Sequence, residues 1–276
     1  PVTGLVITNG TLKGVSVKSE AGPEEYFADL VIDATGRTRA LVRRVNQLST
    51  RTKQHKAPFV AFKAHLRNAR AHAGACEIYF YDGGYGGLNS IEGDLSNLCF
   101  IVSARVARAN NADPERVMRQ VVMRNERAAT TLKEAQAAQS WMAVSLEQFG
   151  RQTLVPVDGL LTAGDAAAFI DPFTGSGILM ALESGELIAT TILSHLMKAC
   201  FSFARLADDY RAAHAKVFDS RLRMSALLRR AAFMPRLTAA AIFLSGNDWL
   251  RRMLTRATRG GPDGGPACFY RQELSD

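Results

Sequence analysis

The chain has 276 residues, of which 47% are hydrophobic and 22% charged, so it can fill a sizeable core and wholesale disorder is excluded. Its four cysteines are widely spaced without a Cys-x-x-Cys pair. That pattern suits a reducing cytoplasm and predicts neither a disulfide framework nor a metal site. The formal net charge is +8, and arginines outnumber acids after Arg205. No aromatic-interleaved basic motif accompanies them, so we expect no nucleic-acid partner; a solvated helical face is the first interpretation, and an anionic membrane surface or acidic cofactor the second.

The first segment is predicted to be rich in strands. Residues 4–8 and 12–18 alternate around Asn9-Gly10, which is a hairpin turn signal. Residues 26–34 contain the continuous apolar run Leu-Val-Ile, which is typical of a strand buried on both faces, as in a parallel sheet. This strand is predicted to end at Thr35-Gly36.

The next segment has the pattern of an antiparallel meander. Its four predicted strands are separated by glycine-rich turns and cover residues 58–67, 76–82, 85–91 and 97–105. Asp113-Pro114 predicts the start of a helix that runs to about residue 128. Strands are then predicted at 141–149 and 153–163.

After residue 177 the chain is predicted to be almost wholly helical to about residue 258, with a break at Pro235. The most apolar stretch, 178–199, contains Glu183 and Glu186, so no membrane span is predicted. The fold class is therefore α/β with an inserted antiparallel sheet, an α+β substrate domain. Residues 1–50 and 151–200 are predicted to form two parts of one domain. The antiparallel-sheet domain, 51–150, is inserted between them, and a helical region, 201–276, follows.

The stretch GLLTAGDAAAFIDPFTGSGILMALESGELIA, residues 159–189, carries the main chemical signal. Gly164 closes a buried strand, and Asp165 follows at its carboxyl end, where it can accept hydrogen bonds from ligand hydroxyls. Pro172 fixes a bend, and Gly175, Ser176 and Gly177 open a helix whose unpaired amides attract negative charge. The alternative is that Asp165 caps the next helix and the glycines only form a tight turn.

This order of Gly-Asp, Pro and Gly-Ser-Gly resembles the GD motif of the FAD-dependent aromatic hydroxylases and the related geranylgeranyl reductases and halogenases. The resemblance implies that Asp165, after Gly164, contacts the ribityl or ribose part of FAD. It also implies that Pro172 and the turn from Gly175 to Gly177 lie near the flavin ring.

Residues 28–44, ADLVIDATGRTRALVRR, resemble the strand and ATG turn of the same superfamily. The resemblance implies that Thr35 and Gly36 bring the backbone close to the dinucleotide. Arg39 stands where the superfamily has serine, while Arg43 and Arg44 keep its basic pair. A solvated helix start is the alternative interpretation of these arginines.

Residues 79–102 resemble the substrate-domain strands of the superfamily, one of which faces the flavin. Tyr85, Leu88 and Asn89 are the candidate pocket wall. The alternative is that all three are ordinary alternating sheet residues.

Members of the superfamily begin with a strand–GxGxxG–helix unit, which this sequence does not contain. We therefore expect an incomplete FAD/NAD(P)-binding Rossmann-like domain, the carboxyl-terminal two-thirds of a flavoprotein. Its strands at 28–34 and 159–163 would keep exposed ladder edges, and it would bind FAD weakly or not at all by itself.

The resemblance implies an FAD-dependent oxidoreductase whose flavin is reduced by NAD(P)H. The expected reaction is hydroxylation of an aromatic or polyketide-like lipophilic small molecule. The alternatives are saturation of isoprenoid double bonds, and an inactive fragment or subunit that needs another chain for the GxGxxG unit. No catalytic acid or base can be identified from the sequence, because the cofactor carries the chemistry. We expect a cytoplasmic protein, with peripheral membrane contact as a second option.

Overall fold

The computed structural model describes residues 1–48, 57–197 and 200–233. These residues form two units, one containing 1–48 with 149–226 and the other 57–148 with 227–233. The strands in chain order are β1 (Val2–Thr8), β2 (Thr11–Ser19), β3 (Gly22–Phe27), β4 (Val31–Asp33), β5 (Phe59–Arg67), β6 (Cys76–Tyr81), β7 (Gly84–Ile91), β8 (Leu95–Ser103), β9 (Gln136–Ala137), β10 (Met142–Leu146), β11 (Gly150–Arg151), β12 (Leu160–Thr162) and β13 (Ala168–Phe169). The helices are α1 (Ala40–Leu48), α2 (Ala104–Ala109), α3 (Pro114–Gln120), α4 (Glu126–Leu132), α5 (Gly177–Leu196) and α6 (Phe203–Ala232).

The first unit begins with an antiparallel meander of β1, β2 and β3. Asn9 and Gly10 join the first two strands with φ values of 50° and 77°, which confirms the predicted hairpin turn. The single strand predicted over 26–34 is wrong, because β3 ends at Phe27 and β4 begins at Val31. The two pieces belong to different sheets, since β3 pairs with β2 whereas β4 pairs with β12.

β4 and β12 form a parallel pair, with Leu160 opposite Val31 and Thr162 opposite Asp33. All three residues of β12 are buried. The strand predicted over 153–163 is shortened to these residues, because the chain turns sharply just before them: the Leu160 amide donates to the Val157 carbonyl at 3.0 Å. The preceding segment then lies along the outer side of β12, where the Leu154 carbonyl accepts from the Thr162 amide.

The second unit contains the predicted antiparallel sheet, with strand order β10-β5-β8-β7-β6 and β9 pairing with β5. One face packs against α3 and α4 through Phe62, Leu98 and Leu132. The helix predicted from Asp113-Pro114 begins there, with the Asp113 carboxylate accepting from two amides of the first turn. It ends earlier than predicted, at Gln120, and α4 restarts after a cap by Asn125.

The carboxyl-terminal part of the described chain consists of α5 and α6. Tyr210 of α6 donates from its hydroxyl to the Thr162 carbonyl at 2.7 Å, so α6 is attached to the end of β12. By length and composition alone α5 is long and apolar enough to cross a membrane, a test that core helices of soluble proteins also pass, so the absence of a membrane span stays a prediction. It bears Glu183, which is paired with the buried Arg221 of α6. The predicted break at Pro235 and the predicted helix beyond it lie outside the described residues.

Candidate functional site

The two motifs singled out in the sequence meet at one edge of the first unit. Because β4 and β12 are parallel and in register, their carboxyl ends lie side by side, and the Ala163 amide donates to the Asp33 carbonyl at 3.0 Å. The turn containing Thr35 and Gly36 follows one strand end, and the turn containing Gly164 and Asp165 follows the other. Ligands of open α/β sheets bind at such an edge.

The turn after β12 rests on α5. Gly164 has a φ of 59°, its amide donates to the Ser184 hydroxyl at 3.0 Å, and a Cβ placed on it would lie 3.4 Å from that of Ala181. Asp165 is half-buried; burial raises the pKa of its carboxyl group, and the positive charge of Arg37 opposes this shift. Asp165 therefore remains partly exposed after the carboxyl end of β12, within the electrostatic influence of Arg37.

The bend before α5 is fixed by Asp171 and Pro172. The Asp171 side chain accepts from the Phe173 amide at 3.0 Å, so it caps this turn. The buried Ser176 hydroxyl lies 2.8 Å from that of Thr174 and does not cap α5. The amides at the start of α5, from Gly177 onward, therefore have no cap from the preceding side chain, and the positive end of the helix dipole remains.

Two glycines of these turns leave space beside the backbone. Gly36 and Gly175 have φ values of 68° and 64°, which other residues adopt at a cost. A Cβ placed on either would meet no other described atom within 4 Å. A flat or charged group could therefore approach the backbone at both positions.

Asp33 shapes the turn after β4 and was missed in the sequence. It is fully buried, and one carboxylate oxygen accepts from the amide and hydroxyl of Thr35, at 3.0 and 2.6 Å. The other oxygen accepts from the amides of Leu41 and Val42 in the first turn of α1. An Asp two residues before Thr at a strand end is a local turn signal that could have revealed this role.

No protein-family model and no curated protein matches this sequence. A flavin-dependent brominase, Bmp2, superposes with a TM-score of 0.75 at 17% identity, over 93% of this chain and 63% of its own. The chain shares the fold of that enzyme. A geranylgeranyl bacteriochlorophyll reductase-like protein from Thermoplasma acidophilum has a TM-score of 0.64 at 19% identity, over 92% of this chain and 61% of its own. PqsL, a probable FAD-dependent monooxygenase from Pseudomonas aeruginosa, has 0.62 at 18% identity, over 87% of this chain and 66% of its own.

Within this shared fold, Arg44, the second residue of the basic pair after the ATG turn, makes structural contacts. Arg44 donates to the carbonyls of Val2 and Ala40, at 2.7 and 3.2 Å, so it ties α1 to β1. A cavity of about 610 Å³ lies beside it, and its lining does not include Asp165 or the glycines of the second motif. Its lining residues are Thr3, Gly4, Leu5, Thr38, Ala40, Arg43, Arg44, Gln47 and Leu48.

The predicted pocket wall belongs to the second unit, and its three residues lie on two faces of the sheet. Leu88 is fully buried in the core beneath β7, so it packs rather than lines a pocket. Tyr85 and Asn89 lie on the opposite face, since residues alternate along a strand. Asn89 accepts from the Asn97 amide group at 3.2 Å, and Tyr85 contacts the ring of Phe233. Across the described ranges, no three His, Cys, Asp or Glu side chains are grouped to hold a metal ion.

Proposed function

We propose that this chain is part of an FAD-dependent oxidoreductase and that the turns at residues 35–36 and 164–177 hold its FAD. The register of β4 and β12 carries the proposal, because it puts the turn of Thr35 and Gly36 beside the turn of Gly164 and the half-buried Asp165, at the carboxyl ends of the two strands. The fold shared with a flavin-dependent brominase and a probable FAD-dependent monooxygenase supports it.

The residues of these turns fit a flavin dinucleotide chemically. Asp165 can accept hydrogen bonds from the hydroxyls of a ribityl chain or ribose. Gly36 and Gly175 leave the backbone open to close approach. The start of α5 and the guanidinium of Arg37 supply positive potential for a phosphate or a reduced, anionic flavin ring.

The proposed reaction is hydroxylation of an aromatic or polyketide-like lipophilic small molecule in the cytoplasm, with NAD(P)H as reductant. When bound, FAD would supply the transfer of electrons from NAD(P)H to oxygen. The residues of this chain would bind and orient FAD. Asp165 would hold its ribityl chain or ribose, and the start of α5 would hold a phosphate or the anionic reduced flavin ring.

A second candidate reaction is reduction of isoprenoid double bonds, supported by the fold shared with a geranylgeranyl bacteriochlorophyll reductase-like protein. The exposed side chains of Ile178 and Leu182 on α5 would suit a lipophilic substrate at a membrane surface. The two reactions differ in stoichiometry. Hydroxylation consumes one O2 per NAD(P)H and puts one of its oxygen atoms into the product, whereas alkene reduction consumes no O2.

We also propose that strong FAD binding needs a further segment, from this chain or another one. Val31 and Asp33 direct their backbone groups to β12, so those of Ile32 point to the other side. In the described part of the chain no strand pairs with that side, and Ile32 is 41% exposed. A parallel sheet of only two strands is unusual, since parallel sheets are normally larger and covered on both faces. An edge strand with unpaired backbone groups is also normally paired or covered.

The test is to titrate the full chain with FAD up to millimolar concentration and to follow backbone amides by NMR. We expect shifts at Gly36, Gly164 and Gly175 to Gly177, with weak affinity. Asp165→Asn should weaken binding about tenfold or more, because bonds to a charged acceptor are lost. Asp29→Asn, at an exposed position just before β4, is the matched control and should leave the affinity unchanged.

Two results would contradict the proposal: no shift at these amides at millimolar FAD, or equal affinities of the Asp165→Asn and Asp29→Asn variants. Once affinity is established, oxygen consumption measured with NADPH and candidate substrates separates hydroxylation from alkene reduction.

A further inference from the structure

Arg39, the residue that departs from the superfamily pattern, lies between the two turns of the candidate site. Its backbone is left-handed, with a φ of 48°, and ends the short helical turn of Gly36–Thr38. Its amide donates to the Gly36 carbonyl at 3.0 Å, and its own carbonyl accepts from the Arg43 amide at 2.9 Å. The main chain of Arg39 is thus part of the connection between the ATG turn and α1.

The side chain of Arg39 reaches a different part of the sequence. Its Nε donates to the Ala166 carbonyl at 3.1 Å, and its Nη1 donates to Oε1 of Gln152 at 3.1 Å. Its Nη2 lies 3.5 Å from the Thr153 carbonyl. Three donors of one guanidinium therefore contact two segments that follow Arg39 by more than 110 residues.

These contacts close a ring of hydrogen bonds around the turn that bears Asp165. The Ala167 amide donates to the Gly164 carbonyl at 2.9 Å, and the Gln152 amide donates to the Ala167 carbonyl at 2.8 Å. Ala166, the acceptor for Arg39, is the residue directly after Asp165. A serine at position 39 has one hydroxyl on a single methylene group, so it could not contact both segments.

We propose that Arg39 is a positioning residue that holds the turn of Asp165 against the turn of Thr35 and Gly36. The bonds to Ala166 and Gln152 keep the two strand-end turns at a constant separation. Arg39 holds the turn of Asp165 in place whether or not a ligand is bound. The consequence for flavin binding, that loss of Arg39 disorders the carboxylate and weakens FAD, rests on the proposed function.

Hydrogen exchange of the full chain tests the first part without flavin. In Arg39→Met and Arg39→Ser variants, the amides of Gly164 and Ala167 should exchange about tenfold faster than in the wild type. Arg39→Lys keeps the charge and one donor group, so its exchange should be intermediate. Arg211→Met is the matched control, because that exposed guanidinium bonds to the exposed Asp208, and it should not change the exchange of either amide.

Global stability is measured on the same variants by urea unfolding. The proposal is supported if the free energy of opening at these amides falls by more than the free energy of global unfolding does. Unchanged exchange at the Ala167 amide in Arg39→Met overturns the proposal. A fall in its opening free energy that is no larger than the fall in the free energy of global unfolding overturns it too.

FAD titration of the same set separates this inference from the proposed function. If the wild type binds FAD and Arg39→Met binds it equally well, the positioning role toward flavin is wrong while the proposed function stands. Partial recovery of affinity in Arg39→Lys supports the role. If exchange rises in Arg39→Met but the wild type shows no amide shifts with FAD, the proposed function fails and the positioning of the turn stands.

Discussion

Asp33 and Asp165 are both carboxylates near the carboxyl end of the parallel pair, but their surroundings give them different roles. Asp33 is fully buried and accepts four hydrogen bonds from the turn and the start of α1. Such a carboxylate is satisfied internally and has a structural role. Asp165 is only half-buried and feels the positive charge of Arg37, so it is the one of the two that can bind a ligand.

His214 of α6 makes stability dependent on pH. Its ring is buried between Tyr210 and Phe218, and within the described residues neither ring nitrogen has a hydrogen-bond partner. Burial lowers its pKa from 6.5 to about 4. The unfolded chain therefore binds a proton between these values that the folded chain does not, and the free energy of unfolding falls as the pH decreases through that window.

We predict that the free energy of unfolding decreases by about 2 kcal/mol between pH 7 and pH 5 on account of His214. A His214→Phe variant should lose this part of the pH dependence, as measured by urea unfolding at both pH values. The exposed His72 provides the control, since His72→Phe should retain the wild-type dependence. A His214→Phe variant with the full wild-type decrease would refute the assignment.

At the scale of elements, one carboxylate connects a strand of the sheet to a helix beneath it. Glu77 of β6 accepts two bonds from the Arg127 guanidinium of α4, at 2.9 and 2.7 Å, and one from the Tyr79 hydroxyl at 2.9 Å. The Arg127 bonds are the main cause that lowers the pKa of Glu77 from 4.5 to about 2. Its contribution to stability is present above pH 4.5 and is lost as the pH falls toward 2.

Glu77→Gln should therefore reduce the free energy of unfolding by about 2 kcal/mol at pH 7, and by less at pH 3. Trp141 packs on Phe100 in the same unit, so its fluorescence in a Trp249→Phe background reports this unfolding. Glu134→Gln removes an exposed ion pair with Arg70 and should cost less than about 0.5 kcal/mol. Equal losses in the two variants would show that the Glu77 cluster adds nothing.

Two elements show why strand boundaries were less predictable than turns. The residues of 26–34 have one continuous β pattern, yet the chain changes partner from β2 to β12 within it. Alternation and apolar content describe a strand but not the strand it pairs with. The turns at Asn9-Gly10 and the start of the helix at Pro114 were predictable, because both depend on neighbours within a few residues.

At the scale of the whole molecule, the first unit exposes apolar surface on α5 as well as an open strand edge on β4. Leu193 and Met197 are 58% and 88% exposed. Contiguous apolar surface of this kind usually binds something or causes self-association. Both features suit the proposal that a further segment completes this unit.

We predict that the isolated chain self-associates through α5. The double variant Leu193→Lys with Met197→Lys should bind less of a hydrophobic dye and scatter less light at high protein concentration, with the free energy of unfolding changed by less than about 0.5 kcal/mol. Thr190→Lys with Ser194→Lys adds the same charge at exposed polar positions of the helix and is the control. A loss of more than about 2 kcal/mol in the first variant would mean that these side chains are packed.

The sequence by itself determined the features that depend on nearby residues: the hairpin turn, the antiparallel strands, the start of α3, and the Gly-Asp and Gly-Ser-Gly turns that suggested a flavin. Only the tertiary structure decided which of these meet. Val31 pairs with Leu160, and Arg39 bonds to Ala166, in each case across more than a hundred positions of the chain. The burial of Asp33 depends on this pairing of distant strands. Strand partners are selected by the packing and hydrogen bonding of the whole unit, and no local pattern encodes that selection.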